Sequence, residues 1–349
     1  MSVLIFKPDE IGDFVIATGA IRLLAREHGE ENTSLIVKSE LASLARREFP
    51  LARVVALPWQ RRRKGHNQAV ANIRHCFPVW LRLCRTTADQ IVCLRSQRNY
   101  LQTLFFASPK VRGRFAPENT LLLSRKWRRV FVEKLLRVCK NPSLVPYPEP
   151  AADWPAEIEA HRLVLTAALG REVAQNEIMP ALTSVTWRGG AGWLFCPFSS
   201  RRGKDYSAER WVAALQGVVP DILPTVIRLA GGPDQVERLN EFASVLRAGA
   251  ISCPVEVIPP MPLEEFPDLV SVADLLLTVD TGAAHFACAT GAPAVIVASG
   301  LHQGAYGPYS PNGRQVWLLG DYAGRGAKGW QDSVPPSMVA EVITRLLRT

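Results

Sequence analysis

Short apolar runs alternate with stretches of helical length, and this alternation occurs twice along the chain. The runs of the first half are VLIF (residues 3–6), SLIVK (34–38), RVVAL (53–57) and QIVCL (90–94). Those of the second half are WLFCPF (193–198), TVIRLAGG (225–232), VEVI (255–258), LLLTV (275–279) and AVIVAS (294–299). Strand, helix and strand at this spacing form parallel sheets with right-handed crossovers. The sequence therefore predicts an α/β fold with two Rossmann-like domains.

The predicted domain borders follow from where the alternation stops and restarts. Residues 1–170 form the first domain and residues 171–335 the second, and residues 336–349 form an amphipathic helix that we expect to pack back on the first domain. Residues 141–160 contain five prolines, which disfavour regular structure, so we expect the connector to begin there. Two such domains side by side leave a cleft at the carboxyl ends of their sheets, where α/β proteins bind ligands.

Composition limits the class of protein. With 349 residues, of which 48% are hydrophobic, the chain is long enough to bury two cores. Its seven cysteines include no C-x-x-C pair and no cluster at zinc-ligand spacing, which predicts neither disulfides nor a structural metal and fits a reducing cytoplasm. The apolar run at Val3–Phe6 is too short for a signal peptide, and no run approaches the ~20 residues of a membrane-spanning helix.

The net charge of +9 comes mostly from the first half of the chain, where Arg61, Arg62, Arg63 and Lys64 are consecutive. A basic stretch of this kind favours an anionic partner, which could be nucleic acid, an acidic membrane surface or a phosphorylated substrate. A solvated basic face without a function is the alternative.

The segment LLLTVDTGAAHFACATGAPAVIVASG (275–300) places polar residues where a buried strand meets a helix. Asp280 ends the strand, Thr281 and Gly282 open the helix, and His285 follows one turn later. Unpaired amides and the positive end of a helix dipole attract anions, and a glycine lets a phosphate approach the backbone. The pattern predicts a phosphate site, with Asp280 capping the helix or holding sugar hydroxyls. A structural cap with a buried histidine is the alternative.

Two other turns between a strand and a helix carry candidate residues. In FKPDEIGD (6–13), Lys7 ends the first strand and Asp13 begins the helix, where Asp13 is either an N-cap or a general base. In CPFSSRRGKDYSAERW (196–211), Ser199 and Ser200 offer hydroxyls and Lys204 an ammonium group to a phosphate. Lys204 could equally be an exposed loop lysine.

Common nucleotide and metal motifs are absent from the sequence. It contains no P-loop and no D-x-D motif. A G-x-G-x-x-G pattern occurs at Gly324, Gly326 and Gly329, but too few residues follow it for a strand, helix and strand. We therefore expect a glycine-rich loop at this position and not a dinucleotide-binding fingerprint.

Four blocks of the sequence together resemble glycosyltransferase family 9, the ADP-heptose:lipopolysaccharide heptosyltransferases. They are KPDEIGD, SSRRGKDYSAERW, RLAGGPDQVE and VEVIPPMPLEEFPDLVSVADLLLTVDTGAAHFACATGAPAV. The resemblance implies a GT-B fold, in which two Rossmann-like parallel-sheet domains face a central cleft. It also implies that a heptose is transferred with inversion from ADP-heptose to an acidic lipopolysaccharide core, without a metal and without a cofactor.

The resemblance also implies roles for individual residues. Asp13 would deprotonate the acceptor hydroxyl, and Lys204 would stabilise the departing diphosphate. The residues expected to bind the donor are Ser199, Ser200, Lys204, Met261, Asp280, Thr281, Gly282 and His285, with Met261 near the nucleotide base. The residues expected to bind the acceptor are Lys7, Arg61, Arg62, Arg63 and Lys64.

The implied partners are a nucleotide sugar and an anionic glycolipid at the cytoplasmic face of the inner membrane, to which the protein would bind peripherally; nucleic acid is not implied. The sequence departs from the family pattern at Gly19, Phe286, Cys288 and the VASG segment (297–300), so the donor sugar stays open. A glycosyltransferase of the same fold with another nucleotide sugar or a protein acceptor is one alternative. A non-catalytic anion-binding relative is the other.

Overall fold

A computed structural model describes residues 1–58, 88–94, 111–117, 143–149, 155–249 and 251–348. Its strands are β1 Val3–Phe6, β2 Thr33–Lys38, β3 Arg53–Leu57, β4 Ala88–Cys93, β5 Val111–Pro117, β6 Ser143–Val145, β7 Trp193–Cys196, β8 Ile227–Leu229, β9 Val255–Val257, β10 Leu275–Val279, β11 Ala294–Ala298 and β12 Gln315–Leu319. Its α-helices are α1 Ile11–His28, α2 Ala42–Glu48, α3 Ala156–Leu169, α4 Ala208–Gln216, α5 Val236–Ala248, α6 Phe266–Val272, α7 Gly282–Thr290, α8 Tyr322–Gly329 and α9 Pro336–Arg348. No helix among the described residues is long and apolar enough to cross a membrane.

The described residues form two compact units. The first contains those up to Pro180 apart from Pro155, and the second contains Pro155 and those from Ala181 onward. The first unit thus extends beyond the predicted border at residue 170. The reason is that the 3₁₀ turn Gln175–Ile178 packs against α1.

The sheet of the first unit has the strand order β3-β2-β1-β4-β5-β6, and every pairing is parallel. β1 is a central strand, in which Ile5 lies opposite Leu35 of β2 and Val92 of β4. All four of its residues are buried. A continuous apolar strand is typical of a parallel sheet whose two faces are both covered.

The sheet of the second unit has the order β12-β11-β10-β7-β8-β9 and is again parallel throughout. Its core includes aromatic rings in edge-to-face contact, with Phe195 of β7 lying 4.7 Å from Trp211 and 5.1 Å from Phe242 between ring centroids. The prediction of an α/β protein with two parallel sheets is therefore confirmed.

The prediction that the proline-rich connector lacks regular structure was wrong. The proline-rich segment 141–160 contains strand β6 and the start of α3. β6 lies at the edge of its sheet, where prolines that flank a strand are tolerated. The C-terminal helix α9 packs on α4 within the second unit, where its apolar residues Val339 and Ile343 complete the core around Trp211. The expectation that it packs back on the first unit stays a prediction.

Gly19 fixes how closely α1 approaches the chain that follows α3. A Cβ atom at this position would lie 2.2 Å from the carbonyl oxygen of Met179 and 2.3 Å from that of Ile178. Side-chain contacts this short do not occur, so the helix can lie against this backbone only without a side chain at Gly19.

We expect Gly19→Ala to lower the free energy of unfolding by about 1–3 kcal/mol, as overpacking of a filled interior does. Helix propensity alone predicts the opposite sign, because alanine is favoured over glycine by about 1 kcal/mol in a helix. The measurement is urea or thermal unfolding. Gly203→Ala is the control, since its added Cβ would meet its nearest neighbour at 3.9 Å. A Gly19→Ala protein as stable as the parent would contradict the prediction.

Candidate functional site

The connection between β10 and α7 consists of Asp280 and Thr281 alone. Thr281 is the N-cap, because its backbone is extended and its hydroxyl accepts a hydrogen bond from the amide of Ala283 at 3.2 Å. Gly282 is the first residue of the helix. The helix cap is therefore Thr281 and not Asp280, whose carboxylate has another partner.

Asp280 forms an ion pair with Lys204. The Lys204 Nζ donates to Asp280 Oδ2 at 2.5 Å, and the two side chains are 12% and 15% exposed. Lys204 ends the 3₁₀ turn Arg202–Lys204 that follows β7, and β7 pairs directly with β10. Since parallel neighbours end at the same edge of a sheet, the fold brings these two predicted site residues together. Lys204 is thus not an exposed loop lysine.

Hydrogen bonds within the loop after β7 hold the Lys204 turn in place. The Ser199 amide donates to Asp205 Oδ1 at 2.7 Å, and its hydroxyl donates to the Arg201 carbonyl at 2.6 Å. The other Asp205 oxygen accepts from Arg238 at 2.6 Å. Ser199 is buried and its hydroxyl closes the loop, whereas Ser200 is exposed. Of the two serines, Ser200 is therefore the better placed for direct contact with a ligand.

The glycines that were expected to form a loop, Gly324, Gly326 and Gly329, all lie within helix α8, so the expectation of a loop was wrong. The helix is kinked at Gly326, which has a φ of 66°, and it is capped by Asp321, whose carboxylate accepts from the Gly324 amide at 2.8 Å. Just beyond it, the Trp330 indole donates to the Gly203 carbonyl at 3.1 Å. Through this hydrogen bond the residues after α8 hold the Lys204 turn in place, which is a structural role that the sequence did not reveal.

His285 lies one turn into α7 and is 4% exposed. Its Nδ1 lies 3.0 Å from the hydroxyl of Tyr309, and the two rings are stacked with centroids 5.8 Å apart. Burial lowers the pKa of His285 to about 4; the Asp280 carboxylate opposes this shift and the Lys204 ammonium adds to it. The imidazole is thus neutral at pH 7 and lies within the electrostatic reach of the ion pair.

The structure adds two residues that the sequence analysis missed, Arg201 and His302. His302 follows β11, the other neighbour of β10, and its Nε2 lies 3.1 Å from an Arg201 guanidinium nitrogen. Burial and then the charges of Lys204 and Arg201 lower the pKa of His302. The unusual VASG segment just before His302 was the signal that could have found it, because the strand order places that loop beside Asp280.

Met261 follows β9 and is half-buried. β9 is three strands away from β10 in the sheet order, on the other side of β7 and β8. Met261 therefore shares the carboxyl edge of the sheet with Asp280 but lies at the far end of that edge. This position fits a contact with one end of an extended ligand.

In the first unit, Lys7 is buried, and its ammonium group is surrounded by a carbonyl oxygen and two carboxylates. Its Nζ donates to the Leu94 carbonyl at 2.7 Å and to Glu157 at 2.9 Å, and it lies 3.0 Å from Asp9 Oδ2. Burial lowers the pKa of Lys7, but the carboxylates of Asp9, Glu157 and Asp13 raise it by more, so its net pKa lies above the usual value. The prediction that Lys7 binds an acceptor is therefore wrong, because its ammonium group is enclosed and engaged.

Asp13 lies in the first turn of α1 and is half-buried. The N-cap of this helix is Glu10, whose side chain makes no capping hydrogen bond. The alternative that Asp13 serves as the N-cap is thus excluded, and its role as a base stays a prediction. The predicted acceptor residues Arg61, Arg62, Arg63 and Lys64 lie outside the described residues.

Within the ranges that the structure describes, no group of three or more histidine, cysteine, aspartate or glutamate side chains could hold a metal ion. The expectation of a metal-free reaction stays a prediction, because the chemistry of a reaction does not follow from this finding.

The buried neutral state of His285 predicts a dependence of stability on pH. The unfolded chain protonates this histidine near pH 6.5, whereas the folded chain does so near pH 4. Between these values the unfolded state binds one more proton, so the free energy of unfolding should fall by up to about 3 kcal/mol as pH is lowered from 6.5 to 4. In His285→Gln this contribution to the pH dependence of the free energy of unfolding should be absent. Equal slopes in denaturant titrations of both proteins would contradict the prediction.

Comparisons with known proteins agree with this geometry. The family model described as glycosyltransferase family 9 (heptosyltransferase) matches residues 148–328, which is more than half of the 349-residue chain and includes the Lys204 and Asp280 turns. No curated protein matches the chain in sequence.

Solved structures match over nearly the full length at low identity, which shows the fold. E. coli heptosyltransferase WaaC with ADP-2-deoxy-2-fluoro heptose is 17% identical, with 99% of each chain covered and a TM-score of 0.67. E. coli ADP-heptose lipopolysaccharide heptosyltransferase II is 15% identical, with 100% of this chain and 99% of that chain covered and a TM-score of 0.70. The iron-containing dodecameric heptosyltransferase TibC is 10% identical, with 99% and 76% covered and a TM-score of 0.53.

The two parallel sheets with flanking helices are thus the two-domain α/β architecture of GT-B heptosyltransferases. Together with the match of the family model over more than half of its length, they show that the chain belongs to glycosyltransferase family 9 and is a glycosyltransferase of the heptosyltransferase type.

Proposed function

We propose that this protein transfers a heptose or a related sugar, with inversion, from ADP-heptose or a similar nucleotide sugar to an acidic lipopolysaccharide core or another glycan acceptor. The observation that carries the proposal is the Lys204–Asp280 ion pair beside the Thr281-capped start of α7. It lies in the segment that the family model matches, and the structure of WaaC contains an ADP-linked heptose analogue.

The donor half of the proposal rests on what a departing diphosphate requires. Negative charge builds up on this group as the bond to the sugar breaks, and fixed cations and amide donors stabilise it. Lys204 supplies the cation, and the positive end of the α7 dipole, with the Gly282 amide as its first donor, adds to it. The next two amides, of Ala283 and Ala284, are bonded to Thr281. Asp280 keeps the ammonium group in position and offers its other oxygen to a sugar hydroxyl.

The acceptor half of the proposal rests on Asp13 and on the basic stretch Arg61–Lys64. In an inverting transfer a base removes the proton of the acceptor hydroxyl as it attacks the sugar. Asp13 suits this role because it is partly accessible in the first turn of α1 and does not cap the helix. The excess of positive charge supports an anionic glycolipid acceptor and peripheral binding to the cytoplasmic face of the inner membrane.

Asp13→Asn tests the base. The amide keeps the size of the side chain and loses its ability to accept a proton, so kcat should fall by roughly 10²- to 10⁴-fold while the dissociation constant for ADP stays nearly constant. Steady-state kinetics and calorimetry measure the two quantities. Asp280→Ala is the contrasting variant, because it should weaken nucleotide binding. An Asp13→Asn enzyme with near-normal kcat would rule Asp13 out as the base.

Metal dependence is a separate prediction. Because Lys204 and the start of α7 can stabilise the negative charge of the diphosphate, we expect the transfer rate to be unchanged in excess EDTA. The assay is informative since TibC is described as iron-containing. Loss of activity in EDTA that added magnesium, manganese or ferrous iron restores would show the prediction to be wrong.

A further inference from the structure

Tyr309 and His285 form a buried pair that is joined by one hydrogen bond. Both residues are 4% exposed, and the Tyr309 hydroxyl lies 3.0 Å from His285 Nδ1. The Tyr309 and Cys288 side chains are also within hydrogen-bonding reach of each other, whereas the other ring nitrogen of His285, Nε2, has no hydrogen-bond partner within the described ranges. This pair therefore decides which nitrogen of the imidazole carries the proton.

The position of the protons follows from counting donors and acceptors. Burial raises the pKa of the Tyr309 phenol well above its usual value, so its hydroxyl stays protonated. If His285 carried its proton on Nδ1, that N–H and the tyrosine O–H would both be donors, and the buried O–H would be left with the Cys288 sulfur, a weak acceptor, as its partner. A poorly satisfied buried donor is costly. The hydroxyl therefore donates to Nδ1, and the proton of the neutral imidazole lies on Nε2.

The Cys288 thiol is the possible competitor for the tyrosine proton. Cys288 lies one turn after His285, and its thiol donates to the Tyr309 carbonyl oxygen at 3.5 Å. Sulfur is a weak acceptor, whereas an unprotonated imidazole nitrogen is a strong one. Donation to His285 is therefore the favoured arrangement.

The backbone of Tyr309 is held by hydrogen bonds to its carbonyl oxygen. Its carbonyl oxygen accepts from the Trp317 indole at 2.9 Å as well as from Cys288. Trp317 belongs to β12, so the tyrosine is anchored to the edge of the same sheet that positions Asp280. The hydroxyl is thus presented to His285 by a fixed support.

We propose that Tyr309 is a positioning residue that fixes His285 in the Nε2-protonated tautomer, so that a neutral N–H donor is presented to the diphosphate of the donor beside Lys204 and Asp280. This inference rests on the proposed function, because it takes the ligand to be a nucleoside diphosphate. A neutral donor adds a hydrogen bond to the anion without adding a charge that would compete with Lys204 for Asp280.

The first test is nitrogen NMR of ¹⁵N-histidine-labelled protein without a ligand, with the His285 signals assigned by their absence in His285→Gln. We expect Nδ1 to be unprotonated and Nε2 protonated near pH 7.5. In Tyr309→Phe the signals should shift towards a mixture of both tautomers. A wild-type imidazole protonated on Nδ1 would overturn the proposal, and this result does not depend on the variant folding.

The second test is calorimetry with ADP. We expect Tyr309→Phe to bind ADP about threefold to tenfold more weakly, which is the range for one lost hydrogen bond. Tyr206→Phe is the matched control, because it removes another buried hydroxyl, which donates to the Val334 carbonyl at 2.7 Å away from His285. Tyr309→Phe with wild-type affinity, or with no greater loss than the control, would overturn the proposal. If the wild-type protein failed to bind ADP, the proposed donor would be wrong, whereas the NMR result would still decide the tautomer.

Discussion

The parallel pairing of β7 with β10 is the constraint on which the rest of the site depends. It places the ends of two strands that are 83 residues apart in the chain, Cys196 of β7 and Val279 of β10, at one edge of one sheet. Lys204 and Asp280 meet there as an ion pair that leaves both side chains partly accessible. Because the sheet is rigid and the Lys204 turn is held by its own hydrogen bonds, the charges are in place before any ligand arrives.

Lys7 and Lys204 show that burial determines whether a lysine ammonium group is accessible to a ligand. Lys7 and Lys204 each follow a buried strand, yet Lys7 is enclosed by Glu157, Asp9 and a carbonyl group. A buried cation must be paired with such partners, since desolvation is otherwise too costly. Lys204 has one carboxylate and some access to solvent, so an anionic ligand can still approach it. The first lysine therefore stabilises its unit, and the second is available for chemistry.

The sequence determined the fold class and much of the candidate site. Apolar runs bounded by turn residues predicted strands β1, β3 and β10 with the limits that the structure has, and the residues after β10 predicted where helix α7 starts. This worked because a strand covered on both faces must be apolar throughout, and because a helix start needs a cap and space at its first residues. The same local rules identified Lys204, Asp280 and Thr281, since strand ends in a parallel sheet share one edge.

Tertiary structure alone decided which partner each polar atom has. Residue types could not separate Thr281 from Asp280 as the cap, show that Ser199 closes its own loop, or reveal that Lys7 is enclosed. Tyr309 and His302 were missed because they lie in the loop between β11 and β12. In the chain they are 24 residues from His285 and 101 residues from Arg201, respectively. Sequence patterns record burial and local conformation, whereas hydrogen-bond partners depend on distances of a few tenths of an ångström, which are set only when the sheet has assembled.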